Sequence, residues 1–236
     1  MNQIFFCWAD TESWKPLSRS FSARKLSRKR VRETLLAKYE GIEVFHACRP
    51  DNLSVYYERG LMLSSSSCID NIALTLFFGE DPSALEIQLM NSAISQIGAR
   101  DQGKLYVSVD QRSLVNRCGH YLIYGSERLL CLAAALGGNA GLYRDKLKRV
   151  GVPTIFRALL RWDLLDDSDI DSLARHVVAE LIVMKKRVDP GVLMCSFSLN
   201  RAVPPINLNG HLHPIEIPDP MESYSLYRMG PASVAG

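Results

Sequence analysis

The residues with the clearest chemical potential lie close together in segment 42–61. His46 and Arg49 follow a short apolar run, and Tyr56 and Tyr57 come shortly afterwards. An imidazole can bind or transfer a proton near neutral pH, and a guanidinium forms forked hydrogen bonds with phosphate oxygens. Two neighbouring tyrosine rings add flat surfaces for stacking. These residue types at this spacing predict a pocket for an anionic ligand that carries a ring.

A strand and a short helix are predicted to position these side chains. The apolar residues that follow Gly41 are typical of a buried strand, and His46 lies near its end. Asp51 or Asn52 can cap a helix after the strand, and Gly60 is suited to end that helix. The segment therefore predicts a strand, a turn and a helix that shape one side of the pocket.

Glu127 is the second candidate for chemistry. It follows the run 120–124, whose aromatic and aliphatic content predicts a strand, and it opens a predicted helix over 127–136. A carboxylate at such a junction lies near the positive end of the helix dipole. Glu127 is therefore either an ordinary first-turn glutamate or, together with His46, part of a functional site.

Other polar residues give weaker signals. Glu180 lies in an amphipathic helix predicted to begin at Ser168, where a surface charge is the alternative, and it is the backup carboxylate. His211 and His213 have only Glu216 near them at ligand spacing, so a surface loop is favoured and no metal site is predicted.

Positive charge is concentrated in segment 15–38. This segment holds nine lysines and arginines against the single acid Glu33, although the net charge of the whole chain is only +3. Such a run attracts phosphate backbones, and serines between the cations can also reach phosphates. The alternative is a solvated basic helix without a partner. The residues predicted to contact nucleic acid are Arg24, Lys25, Arg28, Lys29, Arg30 and Arg32.

The composition is that of an ordinary globular protein. The chain has 236 residues, of which 47% are hydrophobic and 22% charged, which is enough for one large domain with a full core. No apolar run approaches the roughly 20 residues that span a bilayer, and no secretion signal opens the sequence. Six cysteines without a C-x-x-C pair indicate reduced thiols, so a cytoplasmic location is expected.

Two nucleotide-binding classes are disfavoured by missing motifs. The sequence has no G-x-G-x-x-G after a strand and no Walker-type Gly-Lys-Ser/Thr. Short strands with interspersed helices predict an α+β fold rather than a doubly wound sheet. Further predicted elements are strands over 4–8, 61–63 (running into the polar edge 64–67), 105–109, 154–165 and 192–199, and helices over 22–39 and from 81.

The order of these features resembles the ADP-ribosyltransferase superfamily. The features are a strand bearing His46, an aromatic helix that ends in Gly60 and Leu61, a serine-rich second strand, and a late strand that delivers Glu127. The likeness is greatest to bacterial toxin-type and DarT-like enzymes that modify nucleic-acid bases. It implies one ADP-ribosyltransferase-like domain with a split, mixed or antiparallel β-core flanked by helices. The implied divisions are an N-terminal strand and basic helical segment over 1–40, the catalytic domain over 41–220 and a tail over 221–236.

The resemblance implies catalytic roles for Glu127, His46 and Tyr57. Glu127 would bind the 2′-hydroxyl of the nicotinamide ribose of NAD. A carboxylate fixed there stabilises the positive charge that develops on the ribose as nicotinamide departs.

The resemblance also implies a cofactor-binding set. His46 would bind the adenosine ribose or the carboxamide of NAD, and Arg49 would suit the pyrophosphate. One of Tyr56, Tyr57 and Tyr121 would stack on nicotinamide. The full set is His46, Ala47, Arg49, Tyr56, Ser64, Ser65 and Tyr121.

The acceptor implied by the resemblance is a nucleic acid, RNA or DNA. Gly125 stands two residues before Glu127, where enzymes that modify protein arginine carry Glu or Gln. NAD is the implied substrate, without a metal, and an inhibitory protein partner is expected of a toxin-type enzyme. The alternatives are an ADP-ribosyltransferase that acts on protein, and a non-catalytic module that binds a nucleic acid or another partner through segment 15–38.

Overall fold

The computed structural model describes residues 5–21, 26–99, 102–138, 140–184 and 189–229. Over these ranges the chain forms an α+β domain with a mainly antiparallel sheet of six strands and a separate two-stranded sheet. The predicted α+β class, with one sheet flanked by helices, is confirmed. No helix in these ranges is long and apolar enough to cross a membrane.

Eight strands lie in the described residues. They are β1 (Phe5–Phe6), β2 (Gly41–Cys48), β3 (Leu105–Ser108), β4 (Thr154–Arg161), β5 (Ser196–Leu199), β6 (Leu208–Leu212), β7 (Glu216–Asp219) and β8 (Ser225–Arg228).

Ten helices accompany these strands in the same ranges. They are α1 (Thr11–Ser20), α2 (Arg28–Lys38), α3 (Ser54–Arg59), α4 (Ser66–Phe78), α5 (Ala84–Ile97), α6 (Gln111–Asn116), α7 (Gly119–Tyr124), α8 (Glu127–Ala135), α9 (Ala140–Arg149) and α10 (Asp167–Val183).

Strand β2 is the centre of the large sheet. The strand order is β5-β3-β2-β4-β6, and β1 adds to β2 in parallel. β4 pairs with β2 along its whole length, whereas β3 reaches it only through Phe45 and Ser108. Gly41 permits the close pairing at the start of β2, because a Cβ there would lie 1.9 Å from the carbonyl oxygen of Leu160. His46 therefore stands on a strand that is paired with β4 along its whole length.

The two faces of the sheet carry two hydrophobic cores. Successive strand residues point to opposite faces, so Val44 belongs to one core and Phe45 to the other, and Phe156 and Ile155 divide in the same way. Helices α1, α2 and α10 pack on the first face, and helices α4 to α9 cover the second. The sheet is thus a middle layer between two helical layers.

Several predicted elements are confirmed. The strand from Gly41 exists, and α3 ends at Gly60, whose φ of +79° is the left-handed value that favours glycine. Strand β3 and helix α8 also lie where the sequence predicts them. The predicted helix over 22–39 is present as α2 with Ser27 as its N-cap, and residues 22–25 lie outside the described residues.

The predicted strand over 120–124 is wrong, because these residues form α7. Leu122, Ile123 and Tyr124 are all buried, between β2, β7 and the neighbouring helices. Burial on every side produces a continuous apolar run, which cannot distinguish a strand from a buried helix. Glu127 therefore follows a helix and not a strand.

The serine-rich second strand is also wrong. Leu61 forms only an isolated bridge with Val203, and Ser65 caps α4 by accepting a hydrogen bond from the Cys68 N–H at 3.4 Å. Serine is a preferred N-cap residue, so the run of serines marks a helix start.

Other boundaries shift by a few residues. The helix predicted from 81 begins after Ser83, which forms a capping box with Glu86, and α10 begins after Asp166 instead of at Ser168. Segment 154–165 forms the single strand β4 followed by a short 3₁₀ turn, and the strand predicted over 192–199 is confined to β5. Within the segment predicted as a tail, β8 pairs with β7, and residues 230–236 lie outside the described residues.

Candidate functional site

A cavity of about 1030 Å³ lies at the end of β2, beside β3, and is lined by residues from both strands and from helices α3, α4, α7 and α8. Its volume is at the upper end of the roughly 300–1000 Å³ range of ligand pockets. Most of the predicted site residues line it, from segments that are far apart in the sequence. They are His46, Ala47, Arg49, Tyr56, Ser64, Tyr121 and Glu127.

His46 presents one ring nitrogen as a hydrogen-bond acceptor. Its Nδ1 lies 2.9 Å from the carbonyl oxygen of Tyr106. Because a carbonyl only accepts, Nδ1 carries the proton, and Nε2 is left with a lone pair in the neutral ring. Burial lowers the pKa of His46, against a smaller opposing effect of the bond to Tyr106. The ring is therefore neutral near pH 7 and can accept a hydrogen bond from a ligand hydroxyl or amide.

Glu127 is held at the start of α8 by two local interactions. The Oγ of Ser126 accepts a hydrogen bond from the Leu129 N–H at 3.2 Å, which caps the helix directly before Glu127. The hydroxyl of Tyr121 donates to Oε2 of Glu127 at 2.9 Å. A carboxylate has about four acceptor positions, so capacity remains for a ligand.

The cysteine near Glu127, Cys118, is a thiol and not a thiolate. Burial, and then the charge of Glu127, raise the pKa of Cys118, so this cysteine is a thiol at neutral pH. Burial lowers the pKa of His120, and Glu127 opposes this effect only in part. Glu127 is therefore the charged group of this cluster.

Arg49 lines the cavity but has a structural role. Its guanidinium donates to the carbonyl oxygens of Val150, Lys148 and Gly151 at 2.8, 2.7 and 2.9 Å, and to that of Leu122 at 3.1 Å. These bonds join the residue that follows β2 to α7, to the end of α9 and to the segment after α9. A pyrophosphate contact would have to break them, so the geometry does not favour the role that the sequence suggests for Arg49.

The two tyrosines of α3 have different environments. Tyr56 lines the cavity, and its ring stacks on Phe156 at a centroid distance of 4.6 Å. Tyr57 is not among the described residues that line the cavity. Its hydroxyl lies 2.7 Å from Nδ1 of His211. The structure therefore does not bring Tyr57 together with Glu127 and His46.

The predicted serines are divided in a similar way. Ser64 lines the cavity, whereas the side chain of Ser65 caps α4. The backup carboxylate Glu180 lies away from the lining of the cavity in the described structure. Its Oε1 accepts a hydrogen bond from the Gly191 N–H at 2.9 Å, which supports the chain before β5.

The basic helix α2 lies on the first face of the sheet. Arg28, Lys29 and Arg30 are exposed in its first turn, whereas Arg32 pairs with Asp167 and Asp171 of α10. Arg24 and Lys25 lie outside the described residues.

His211 lies in β6, and His213 follows this strand. His211 and His213 have ring centroids 4.9 Å apart, but Nδ1 of His213 already lies 3.0 Å from the carbonyl oxygen of Pro153. In the described part of the chain, no group of three or more His, Cys, Asp or Glu side chains is arranged to hold a metal ion.

Lys104, Tyr106 and Arg128 are among the cavity residues that sequence reasoning missed. Lys104 and Tyr106 lie at the start of β3, and Arg128 follows Glu127 in α8. Arg128 pairs with Asp70 of α4 at 2.6 Å, in an ion pair that is nearly buried. Only the strand pattern of 105–109 could have drawn attention to the first two, and nothing local signals the third.

Comparison with known proteins adds no relative. No family model, no curated protein and no solved structure matches this chain. The cavity and its residues are therefore the basis on which a function is inferred.

Proposed function

We propose that the chain is an NAD-consuming ADP-ribosyltransferase that transfers ADP-ribose to a nucleic acid. The observation that carries the proposal is that His46 and Glu127 line one cavity of dinucleotide scale together with Tyr56 and Tyr121. A neutral imidazole acceptor, a fixed carboxylate and aromatic walls are the groups that bind and activate a nicotinamide riboside.

Glu127 is the residue that acts on the reacting centre. Its carboxylate binds the 2′-hydroxyl of the nicotinamide ribose and stabilises the positive charge that develops as the bond to nicotinamide breaks. Nicotinamide leaves with the bonding electrons, and an acceptor atom bonds to the same ribose carbon and releases a proton to solvent. Tyr121 orients the carboxylate through Oε2, and His46 binds a hydroxyl or the carboxamide of the dinucleotide.

The surface around the cavity suits an acceptor that carries rings. Met62, Ile72, Tyr106 and Met194 all line the cavity and are nevertheless 45–62% exposed. Exposed apolar side chains beside a pocket mark an interaction surface. A nucleobase can stack on such a rim, whereas its phosphates need cations farther away. The exposed cations Arg28, Lys29 and Arg30 of α2 are candidates for that second role.

A test uses NAD labelled in its adenylate phosphate, with separate pools of RNA, DNA and protein. We expect label in a nucleic-acid pool, and we expect it to be lost in Glu127→Gln. Glu12→Gln is the matched control, because Glu12 is also a first-turn helix glutamate, in α1. Label in the protein pool alone would identify a protein acceptor instead.

A non-catalytic binding module is the second candidate. Three exposed cations at the start of α2 face the positive end of the helix dipole, an arrangement that does not favour stability. Such an arrangement fits selection for binding. Salt-dependent nucleic-acid binding with no label in any pool would favour this candidate.

A further inference from the structure

Three cations line the cavity in the described structure, and two of them are fully engaged by the protein. Arg49 donates to four carbonyl oxygens. Arg128 donates to both oxygens of Asp70 at 2.6 and 2.8 Å and to the carbonyl oxygen of Gly98 at 2.6 Å. Neither guanidinium has its forked face available for a ligand phosphate.

Lys104 is the third cation of the cavity. It is half-buried, and within the described residues no hydrogen bond or ion pair engages its ammonium group. A lysine ammonium is a compact point charge with three donors, which is suited to phosphate oxygens.

The backbone places Lys104 beside the start of α4. The Ser64 N–H donates to the Lys104 carbonyl oxygen at 2.9 Å, and the Gly103 N–H donates to the Ser64 carbonyl oxygen at 2.9 Å. Ser64 itself lines the cavity, directly before the N-cap Ser65. This two-bond bridge joins the cation to the positive end of a 13-residue helix.

We propose that Lys104, beside the start of α4, forms the diphosphate subsite of the cavity, in place of Arg49. This inference rests on the proposed function, because it names the part of the same site that binds the two phosphates of the dinucleotide. His46 and Glu127 then bind the neutral parts of the ligand, and Lys104 supplies the charge that neutralises the phosphates.

The test measures binding of ADP-ribose and of adenosine by calorimetry, without any turnover. We expect Lys104→Ala to raise the dissociation constant of ADP-ribose by about tenfold or more, because a charged hydrogen bond is removed. The dissociation constant of adenosine should not change, since adenosine has no phosphate. Lys104→Arg should retain most of the ADP-ribose affinity. Arg175→Ala, which removes an exposed cation from α10, should have no effect on either ligand.

The outcomes separate this subsite from the transfer reaction. Equal ADP-ribose affinity in wild type and Lys104→Ala would overturn the subsite, as would the absence of ADP-ribose binding by the wild-type protein. An equal loss of adenosine affinity would also overturn it, because the effect would then be structural. Phosphate-dependent binding through Lys104 without NAD turnover would support the subsite. The same result would count against the proposed transferase activity and not against the subsite.

Discussion

The hydroxyl of Tyr121 donates a hydrogen bond of 2.9 Å to Oε2 of Glu127, across the junction between α7 and α8. The two residues belong to adjacent helices separated by Gly125 and Ser126, and both line the cavity. The bond fixes the orientation of the carboxylate. A change to this carboxylate or to its hydrogen-bond donor should therefore alter turnover.

Glu127→Gln should remove NAD turnover while the protein keeps its fold. The amide retains the shape and can still accept from Tyr121, but it lacks the charge that stabilises a cationic ribose. We expect a fall in kcat of about 100-fold or more, as for the removal of other electrostatic groups. Release of nicotinamide measures this rate. Wild-type turnover in Glu127→Gln, with Glu12→Gln as the control, would contradict the assignment of Glu127.

Tyr121→Phe and Tyr57→Phe should differ, although each removes one hydroxyl. Tyr121→Phe deletes the bond to Glu127, so we expect kcat to fall by roughly three- to tenfold, with little change in KM. Tyr57 bonds His211 outside the cavity lining, so Tyr57→Phe should leave kcat within about twofold. Steady-state kinetics of the two variants side by side provide the measurement. A larger loss in Tyr57→Phe would restore the catalytic role that the sequence suggests for Tyr57.

Arg49→Lys should reduce stability and leave binding nearly intact in the folded protein. Lysine keeps the charge but cannot donate to four carbonyl oxygens, so we expect the free energy of unfolding to fall by about 2–4 kcal/mol. Arg161→Lys is the matched control, since Arg161 is 57% exposed and its ion pairs are long. Denaturant unfolding measures both variants. If Arg49→Lys had wild-type stability but no longer bound ADP-ribose, Arg49 would be the phosphate ligand after all.

His46 should make the folded state less stable in acid. Its pKa in the folded protein is lowered from about 6.5 by burial, so the unfolded chain binds the proton more readily. Stability is therefore lost as the pH falls below about 6.5 toward the folded-state pKa, and it is fully present above that value.

The matching experiment is a histidine NMR titration, with the His46 signal assigned by its absence in His46→Gln. We expect its midpoint below 6.5, and we expect His46→Gln to flatten the pH dependence of the unfolding midpoint between pH 7 and 5. A glutamine amide can still donate to the Tyr106 carbonyl oxygen, so the packing is preserved. A midpoint at or above 6.5 would contradict the neutral ring on which the proposed hydrogen bond depends.

The parts of the site that the sequence predicts are those with local signals. Gly41 and Gly60 delimit β2 and α3, because a side chain at either position would collide with the backbone of another strand or turn. His46 and Tyr56 follow from these two elements. A local signal also predicts the start of α8, because Ser126 is a good N-cap residue and Glu127 is a good first-turn residue.

The remaining parts depend on contacts between distant segments. No local sequence signal shows that the guanidinium of Arg49 is already hydrogen-bonded. Only the folded chain brings the carbonyl groups of 148–151 to it. Lys104 carries no motif, and its position is set by the bridge to Ser64. The strand predicted over 120–124 fails because burial on all sides removes the periodicity that separates a helix from a strand. The sequence does not predict helix α1, because Pro16 lies inside it and proline is disfavoured in the interior of a helix.

The basic helix α2 should hold the acceptor and not NAD. Replacing Arg28, Lys29 and Arg30 together with Ala should abolish most acceptor modification while nicotinamide release continues. In the described structure none of the three lines the cavity, so NAD binding should be retained.

Nucleic-acid binding should weaken in the triple variant. The slope of the logarithm of the binding constant against the logarithm of salt concentration should become less steep. The change should be roughly 0.7–0.9 for each phosphate that the protein no longer neutralises. Stability should not fall, because the replaced cations lie at the positive end of the helix dipole. A variant that replaces the exposed Arg149, Arg175 and Arg201 has the same net charge and separates a local effect of α2 from a general charge effect. If acceptor modification fell equally in both triple variants, total charge and not α2 would hold the acceptor.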